Sequence, residues 1–450
     1  MKININLLFI FIFATFIFAS CSSSDANTHS DSSESSILNS DSYQENTGFE
    51  NSTSNFNFFQ ENKITFISLP SNFYLTKKLK SIFFIYIAAD NNLSDYVNLD
   101  IKEIIDASKK NLNTAYFVFI DDKSKESKLG LIFNGTSYLV ESFEELDSGN
   151  YKTLENMAKF VKSYTLNNLK LMENIWNNIP FYLIIWNHGD AWTYYPKNTS
   201  KAISIDDTSE NVMNIHELIK ALKYINENVH KINLLGFDAC FMGNIETLYS
   251  IFINNITNYV IASEYYEPAY GWNYNISFEN ISNPYLVGKN FVDAYAYYYK
   301  NIFPVSYFLA VYEKNNTLSY IKYIDKIALK LINNEPNSFD IVKKYAQTYK
   351  IDYYYSYLID SYLLFNNTSK DLNFSFNYTD FPAYFKTNLP NMKGATIGFP
   401  TKEFNLLLFD NNYNLNDYFN YYYINSTINP FANTNYGKFI KDYIEYVSND

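Results

Sequence analysis

Two residue types in this chain can supply a nucleophile and its base at neutral pH, and both are scarce. The 450 residues include two cysteines, Cys21 and Cys240, and four histidines, His29, His188, His216 and His230. A thiol of ordinary pKa, about 8.5, is only a few per cent thiolate at neutral pH; a neighbouring imidazole raises that fraction and later protonates a leaving amine. Cys240 and His188 stand in matching contexts. Phe181-Tyr-Leu-Ile-Ile-Trp186 runs into Asn187-His188-Gly189-Asp190, and Ile232-Asn-Leu-Leu-Gly-Phe237 runs into Asp238-Ala239-Cys240. Each reactive residue therefore lies just past the carboxyl end of a short apolar run, and the carboxyl edge of an open parallel sheet is where ligands bind. An oxyanion formed there would need donors, which the backbone N–H groups of Gly189 and Cys240 can supply. Taken singly, an inert buried thiol and a satisfied loop histidine are the plainer readings; the shared placement is what turns the pair toward nucleophilic catalysis. The other histidines fit less well: His29 lies in a polar N-terminal stretch, His216 on a helix, and His230 at a helix end where it complements the dipole.

The elements that must hold such a pair are legible as an α/β pattern with a mainly parallel sheet flanked by helices. Runs at Ile82–Ala88, Ala115–Ile120, Phe181–Trp186, Ile232–Phe237 and Tyr259–Ala262 are short, rich in β-branched or aromatic residues, and apolar on both faces, as buried parallel strands are. Helical spacing fills the intervals near 92–108, 153–170, 215–228 and 243–254. In the third of these, Ile215, Leu218, Ile219, Leu222 and Ile225 make one apolar face, Asn214 is an N-cap, and Glu217 completes a capping box. Beyond residue 300 the alternation is less regular. A strand at Tyr307–Tyr312 precedes helical patterns at 317–333, 338–349 and 353–365, with another apolar run at Ala395–Pro400. The chain thus divides into a main domain over 66–300 and a smaller C-terminal subdomain over 301–450 that completes or packs on the sheet.

Residues 1–20 read as a secretory signal peptide: Lys2, an apolar stretch from Leu7 to Phe18, then Ala19 and Ser20. Cys21 follows directly, as in the lipobox of bacterial lipoproteins, where the thiol carries the lipid. From there to about residue 65 the chain is rich in Ser, Asp, Asn and Glu, a composition too poor in apolar groups to offset ordering entropy, and reads as a tether. The expectation is an exported envelope or surface lipoprotein held to the membrane through that anchor. The formal charge of −12 and the lack of basic blocks exclude nucleic acid as a partner. Aromatic residues at 19% and hydrophobic ones at 47% assign the remainder to a globular protein.

Order and spacing sort peptidase classes. His188 precedes Cys240 by roughly 50 positions, the arrangement of caspases, whereas papain-like enzymes place the cysteine first. The peptides Tyr86-Ile-Ala-Ala-Asp-Asn-Asn-Leu93, Ile185-Trp-Asn-His-Gly189, Gly236-Phe-Asp-Ala-Cys-Phe-Met-Gly243 with Glu246, and Ala262-Ser-Glu264 followed by Glu267-Pro268 and Gly271-Trp272 resemble the signature segments of the clostripain family, in its order. The resemblance implies a caspase-like fold, a His188/Cys240 dyad, and cleavage of proteins or peptides after Lys or Arg. It also implies acidic residues in the specificity pocket: Asp238, with Glu264 as the second acid and Glu267 as its runner-up. Relatives are made as precursors that cut themselves between the two catalytic residues. The polar stretch Thr193–Asp207 reads as the exposed loop for such a cut, with Lys201 the first site and Lys197, beside Pro196, the second. No cofactor and no metal site is expected. Calcium, which some relatives use, stays open, with Asp206 and Asp207 read as turn residues. The competing class is a surface-binding lipoprotein with a peptidase-like fold and no activity.

Overall fold

A computed structural model of the protein describes residues 64–75, 78–124, 126–192, 203–333, 337–351, 357–375, 380–400, 425–426 and 429–448. In chain order the strands are β1 (Ile67–Ser68), β2 (Ser81–Ala89), β3 (Thr114–Asp122), β4 (Glu126–Phe133), β5 (Thr136–Glu144), β6 (Phe181–Trp186), β7 (Ile203–Asp206), β8 (Asn211–Met213), β9 (Ile232–Asp238), β10 (Tyr259–Ala262), β11 (Phe308–Glu313), β12 (Leu358–Asp360), β13 (Tyr384–Thr387) and β14 (Thr396–Gly398). Ten of them form one sheet in the order β1-β5-β4-β3-β2-β6-β9-β10-β11-β13. Its centre, β3-β2-β6-β9-β10, is parallel throughout. These strands are the apolar runs of the sequence, and β2 and β6 are buried along their whole length because helices cover both faces.

One face packs against the helices Tyr151–Asn167 and Ile215–Asn228, the other against Val97–Lys110 and Pro284–Asn301. The capping box appears as read: Asn214 Oδ1 accepts from the Glu217 N–H at 3.0 Å and Glu217 Oε2 from the Asn214 N–H at 3.1 Å. His216 on that helix is exposed.

Three features depart from the alternating pattern. The segment after β3 returns as an antiparallel hairpin, β4 and β5, instead of a helix. The stretch Thr193–Asp207 is not all loop: Ile203–Asp206 is a strand paired with β8, and Ile203 and Asp206 are buried. The helix expected over 353–365 is instead β12 followed by a helix over Ser361–Asp371 capped by Asp360. Residues after 301 contribute β11 and β13 to the main sheet, and the apolar core on one face runs on without a break into the helices Lys314–Ile332 and Asn435–Ser448.

Candidate active site

Parallel register brings the histidine and the cysteine together. Trp186 of β6 is paired with Asp238 of β9, and the Asn187 N–H donates to the Asp238 carbonyl at 3.2 Å. His188 and Cys240 each lie two residues past that pair, so both leave the same sheet edge on neighbouring strands. They are 7% and 2% exposed. The backbones touch: a Cβ on Gly189 would come within 2.2 Å of the Cys240 carbonyl oxygen and 3.0 Å of Ala239 Cβ. Only glycine permits that approach. Gly189 also bridges Ile203 at the start of β7.

Two further contacts fix the reactive groups. His188 Nε2 lies 2.5 Å from Asn92 Oδ1, in the loop that leaves β2. Cys240 Sγ lies 3.2 Å from the Glu267 N–H and 3.7 Å from its carbonyl oxygen, in the loop after β10. The chain turns sharply past the cysteine, with Phe241 at φ +59°. That left-handed conformation costs a bulky L-residue roughly 1–2 kcal/mol, which the surrounding bonds must offset. The Phe241 N–H donates to the Tyr265 carbonyl at 3.1 Å and the Gly243 N–H to the Ser263 carbonyl at 2.7 Å, so the loop after β10 provides them.

Beside Cys240 opens a small pocket of about 260 Å³, counting space open to solvent, lined by Leu93, Trp186, Asn187, Asp238, Glu267 and Gly271 among others. Gly271, at φ +60°, has no Cβ to intrude on the Asp238 carboxylate, which such an atom would meet at 3.1 Å. Asp238 Oδ2 accepts from the Trp272 N–H at 3.1 Å and the Tyr274 hydroxyl at 2.7 Å. Burial nonetheless pushes its carboxyl up to about 6, and it shares a hydrogen bond with Glu267. Glu267 is itself raised well above the ordinary carboxylate range, first by burial and then by the neighbouring Asp238 charge. Behind them, on the helix Val97–Lys110, stand Asp100, raised by burial and by Asp238, and Glu103, raised to about 7 chiefly by burial. Among the described residues no lysine pairs with Asp100, Glu103 or Asp238. Two ionised carboxylates in one buried site repel strongly, which favours a form of the cluster that keeps a proton.

Glu264 is elsewhere. It is fully buried, its Oε1 accepts from the Gly394 N–H at 3.2 Å, and it shares a proton-bearing contact with Asp360. Of the two glutamates, Glu267 is among the residues lining the pocket, whereas Glu264 pins the C-terminal segment to the end of β10. Lys197, Lys201 and Cys21 lie outside the described residues. His230 is a packing residue, stacked on Phe181 at 5.3 Å, with Nε2 2.6 Å from the Trp176 carbonyl.

Sequence reasoning missed several residues that shape this edge. Asn187 Nδ2 donates to the carbonyls of Ala88 and Ile205, the latter at 3.1 Å, while its Oδ1 accepts from the Ile205 N–H at 2.9 Å. Asn91 Nδ2 also reaches Ile205, at 2.9 Å. Together they bind β7 to the ends of β2 and β6. Asp206 of β7, read as a turn residue, joins Asp90 and Glu145: one carboxylate oxygen from each lies within 4.8 Å of the others. Glu145 is raised to about 7, by burial and then by Asp90 and Asp206. An all-oxygen set of this kind suits a hard divalent cation such as calcium. Asp90, Asn91 and Asn187 lie within segments that resemble the family signatures, but nothing local shows what their side chains bond; Glu145 and Asp206 carried no such signal.

The model of the clostripain family matches residues 85–443. No curated protein matches the chain. Among solved structures it is similar to a secreted C11 cysteine protease from Bacteroides thetaiotaomicron in complex with an irreversible peptide inhibitor, at 18% identity, over 76% of this chain and 96% of that one, with a TM-score of 0.50. It is also similar to an inactive zymogen C11 protease from Parabacteroides distasonis, at 17% identity over 72% and 93%, with a TM-score of 0.48. The first likeness agrees in fold with the helix-flanked, mostly parallel sheet described above, and the family model spans the histidine, the cysteine and the strands that deliver them. The chain belongs to the clostripain family of cysteine peptidases.

Proposed function

We propose that this protein is an exported, lipid-anchored cysteine endopeptidase that cleaves after Lys or Arg, with Cys240 as nucleophile and His188 as its base. The observation that carries the reading is the shared edge: histidine and cysteine leave paired strands beside a pocket whose lining includes two buried acids. A substrate's basic side chain enters the pocket and replaces the shared proton as the partner of Asp238 and Glu267; an apolar one leaves the acids unmatched. The Cys240 thiolate then attacks the carbonyl carbon after that residue. Negative charge gathers on the carbonyl oxygen, for which the N–H groups of Gly189 and Cys240 are the candidate donors. The His188 imidazolium protonates the leaving amine, and the same ring then draws a proton from water that hydrolyses the thioester. The dyad reaction calls on no cofactor.

Self-processing follows from the same chemistry, after Lys201 or, second, Lys197. The bonds from Asn187 and Asn91 to Ile205 support the idea that the two pieces stay joined, since they grip the chain just downstream of the cut. Wild-type enzyme should show a new N-terminus at Ala202, and Cys240→Ala and His188→Ala should each lose roughly 10⁴-fold or more in kcat and stay in one piece. Near wild-type turnover in either variant would remove the mechanism. Anchoring rests on Cys21 following the apolar leader, and solved relatives described as secreted support export. Labelled palmitate should enter the wild type and not Cys21→Ser; an unlabelled, soluble wild type would contradict the anchor.

A further inference from the structure

The imidazole of His188 has two nitrogens, and the fold commits one of them. Nε2 lies 2.5 Å from Asn92 Oδ1. An amide oxygen can only accept, so this contact keeps the proton of the neutral ring on Nε2. Nδ1 is then the nitrogen left with a lone pair for a thiol. Once the ring is protonated both nitrogens donate, and the Nε2–H still has its acceptor, so the same contact favours the imidazolium that a thiolate needs beside it.

Topology supports the pairing. β2, β6 and β9 are adjacent, with Ile87 paired to Trp186 and Trp186 to Asp238, so Asn92, His188 and Cys240 leave three neighbouring strands at one edge. The loop bearing Asn92 is held by the residue before it: Asn91 Nδ2 donates to Ala88 and Ile205 carbonyls, and its Oδ1 accepts from the Leu93 N–H at 2.8 Å. Asn92 itself is exposed, so its side chain is not needed to fill the core.

We propose that Asn92 is a positioning residue for His188, setting its tautomer and stabilising its protonated form. The inference rests on the reading of His188 and Cys240 as a dyad. Asn92→Ala should lower kcat by about 10-fold or more, part of what general acid–base catalysis contributes, with KM for a Lys peptide within about twofold. Asn92→Asp, which offers a carboxylate in place of the amide oxygen, should bring kcat back to within about threefold of wild type and strengthen the imidazolium. The second readout is the pH dependence of iodoacetamide alkylation, followed at the Cys240 peptide by mass spectrometry. Its midpoint should move up toward that of a free thiol in Asn92→Ala and stay at or below the wild-type value in Asn92→Asp. A midpoint that moves in His188→Ala but not in Asn92→Ala overturns this proposal alone, as does an Asn92→Asp variant as impaired as Asn92→Ala. A midpoint unmoved by His188→Ala overturns the dyad itself, and this inference with it. Because alkylation needs no substrate, a failure of Lys or Arg specificity leaves the test standing.

Discussion

Two carboxyl pairs separated by three residues of one loop make opposite use of the same physics. Glu264 with Asp360 and Glu267 with Asp238 are both buried acid pairs, and burial is the first cause of every raised carboxyl among them. The first pair is surrounded by backbone donors. Gly394 donates to Glu264, Lys393 and Leu363 donate to Asp360, and the Tyr312 hydroxyl holds the Gly394 carbonyl nearby. Those bonds join β10 to the turn before β14 and cap the helix Ser361–Asp371, which is a structural task. The second pair faces a pocket beside Cys240, with more acid behind it in Asp100 and Glu103. Burial and a raised carboxyl therefore do not by themselves mark function. Asp238 also accepts from the Trp272 N–H, so what separates the pairs is that the second borders a space beside Cys240 and the first does not.

Charge deletion should split the pairs most widely. Asp238→Ala should lower kcat/KM for Lys and Arg peptides by about 10²-fold or more, the scale of losing a buried charged partner, and Glu267→Gln should act in the same direction. Glu264→Gln should leave the preference for basic residues intact and lower Tm instead. Loss of Lys preference in Glu264→Gln, measured on a positional peptide library, would erase the distinction.

A smaller effect is expected from pH. Asp238 lies near 6 and Glu267 is also raised, so below that range the pair holds a proton and attracts a cation less. As pH rises through about 6 Asp238 loses its proton while Glu267, raised well above the ordinary range, keeps its own, and kcat/KM for Lys peptides should rise more steeply than Cys240 alkylation, which does not involve these acids. Parallel profiles for the two would show that the pocket acids do not titrate in that window.

The smallest effect concerns the third acidic group. Glu145 and Asp121 are both raised to about 7, in each case first by burial, and Asp206 is also raised. The folded state therefore binds more protons than the unfolded chain between about pH 4 and 7. Unfolding free energy falls as pH rises through that interval, because charge must then be held in the folded state. Tm should drop by a few degrees from pH 5 to 7.5. Calcium added at pH 7.5 should restore part of it if Asp90, Glu145 and Asp206 take the ion. A Tm that is level or rising over that range, by calorimetry, would mean that the acids are compensated.

Much of this was readable from residues alone. The five parallel strands of the sheet centre are apolar on both faces, so they declare themselves as short unbroken runs, and their carboxyl ends pointed to His188 and Cys240. The capping box at Asn214 was visible because its two partners are three residues apart. Partners distant in sequence were not. The hairpin β4–β5 is intermediate or exposed at several positions, so its alternation blurs, and β11 joins the sheet by pairing with β10 across about 50 residues and β13 by pairing with β11 across about 75. Only tertiary structure separates the surroundings of Glu264 and Glu267: they are three residues apart in an irregular loop, where no periodicity tells which of them lies beside the cysteine. It also decided that Asp100 and Glu103 back the pocket, that Asn187 grips β7, and that Asn92 reaches His188. The physical reason is the same in each case. Local sequence sets which element forms and how it ends, but the direction of a side chain beyond a strand end depends on what the neighbouring strands bring to that edge.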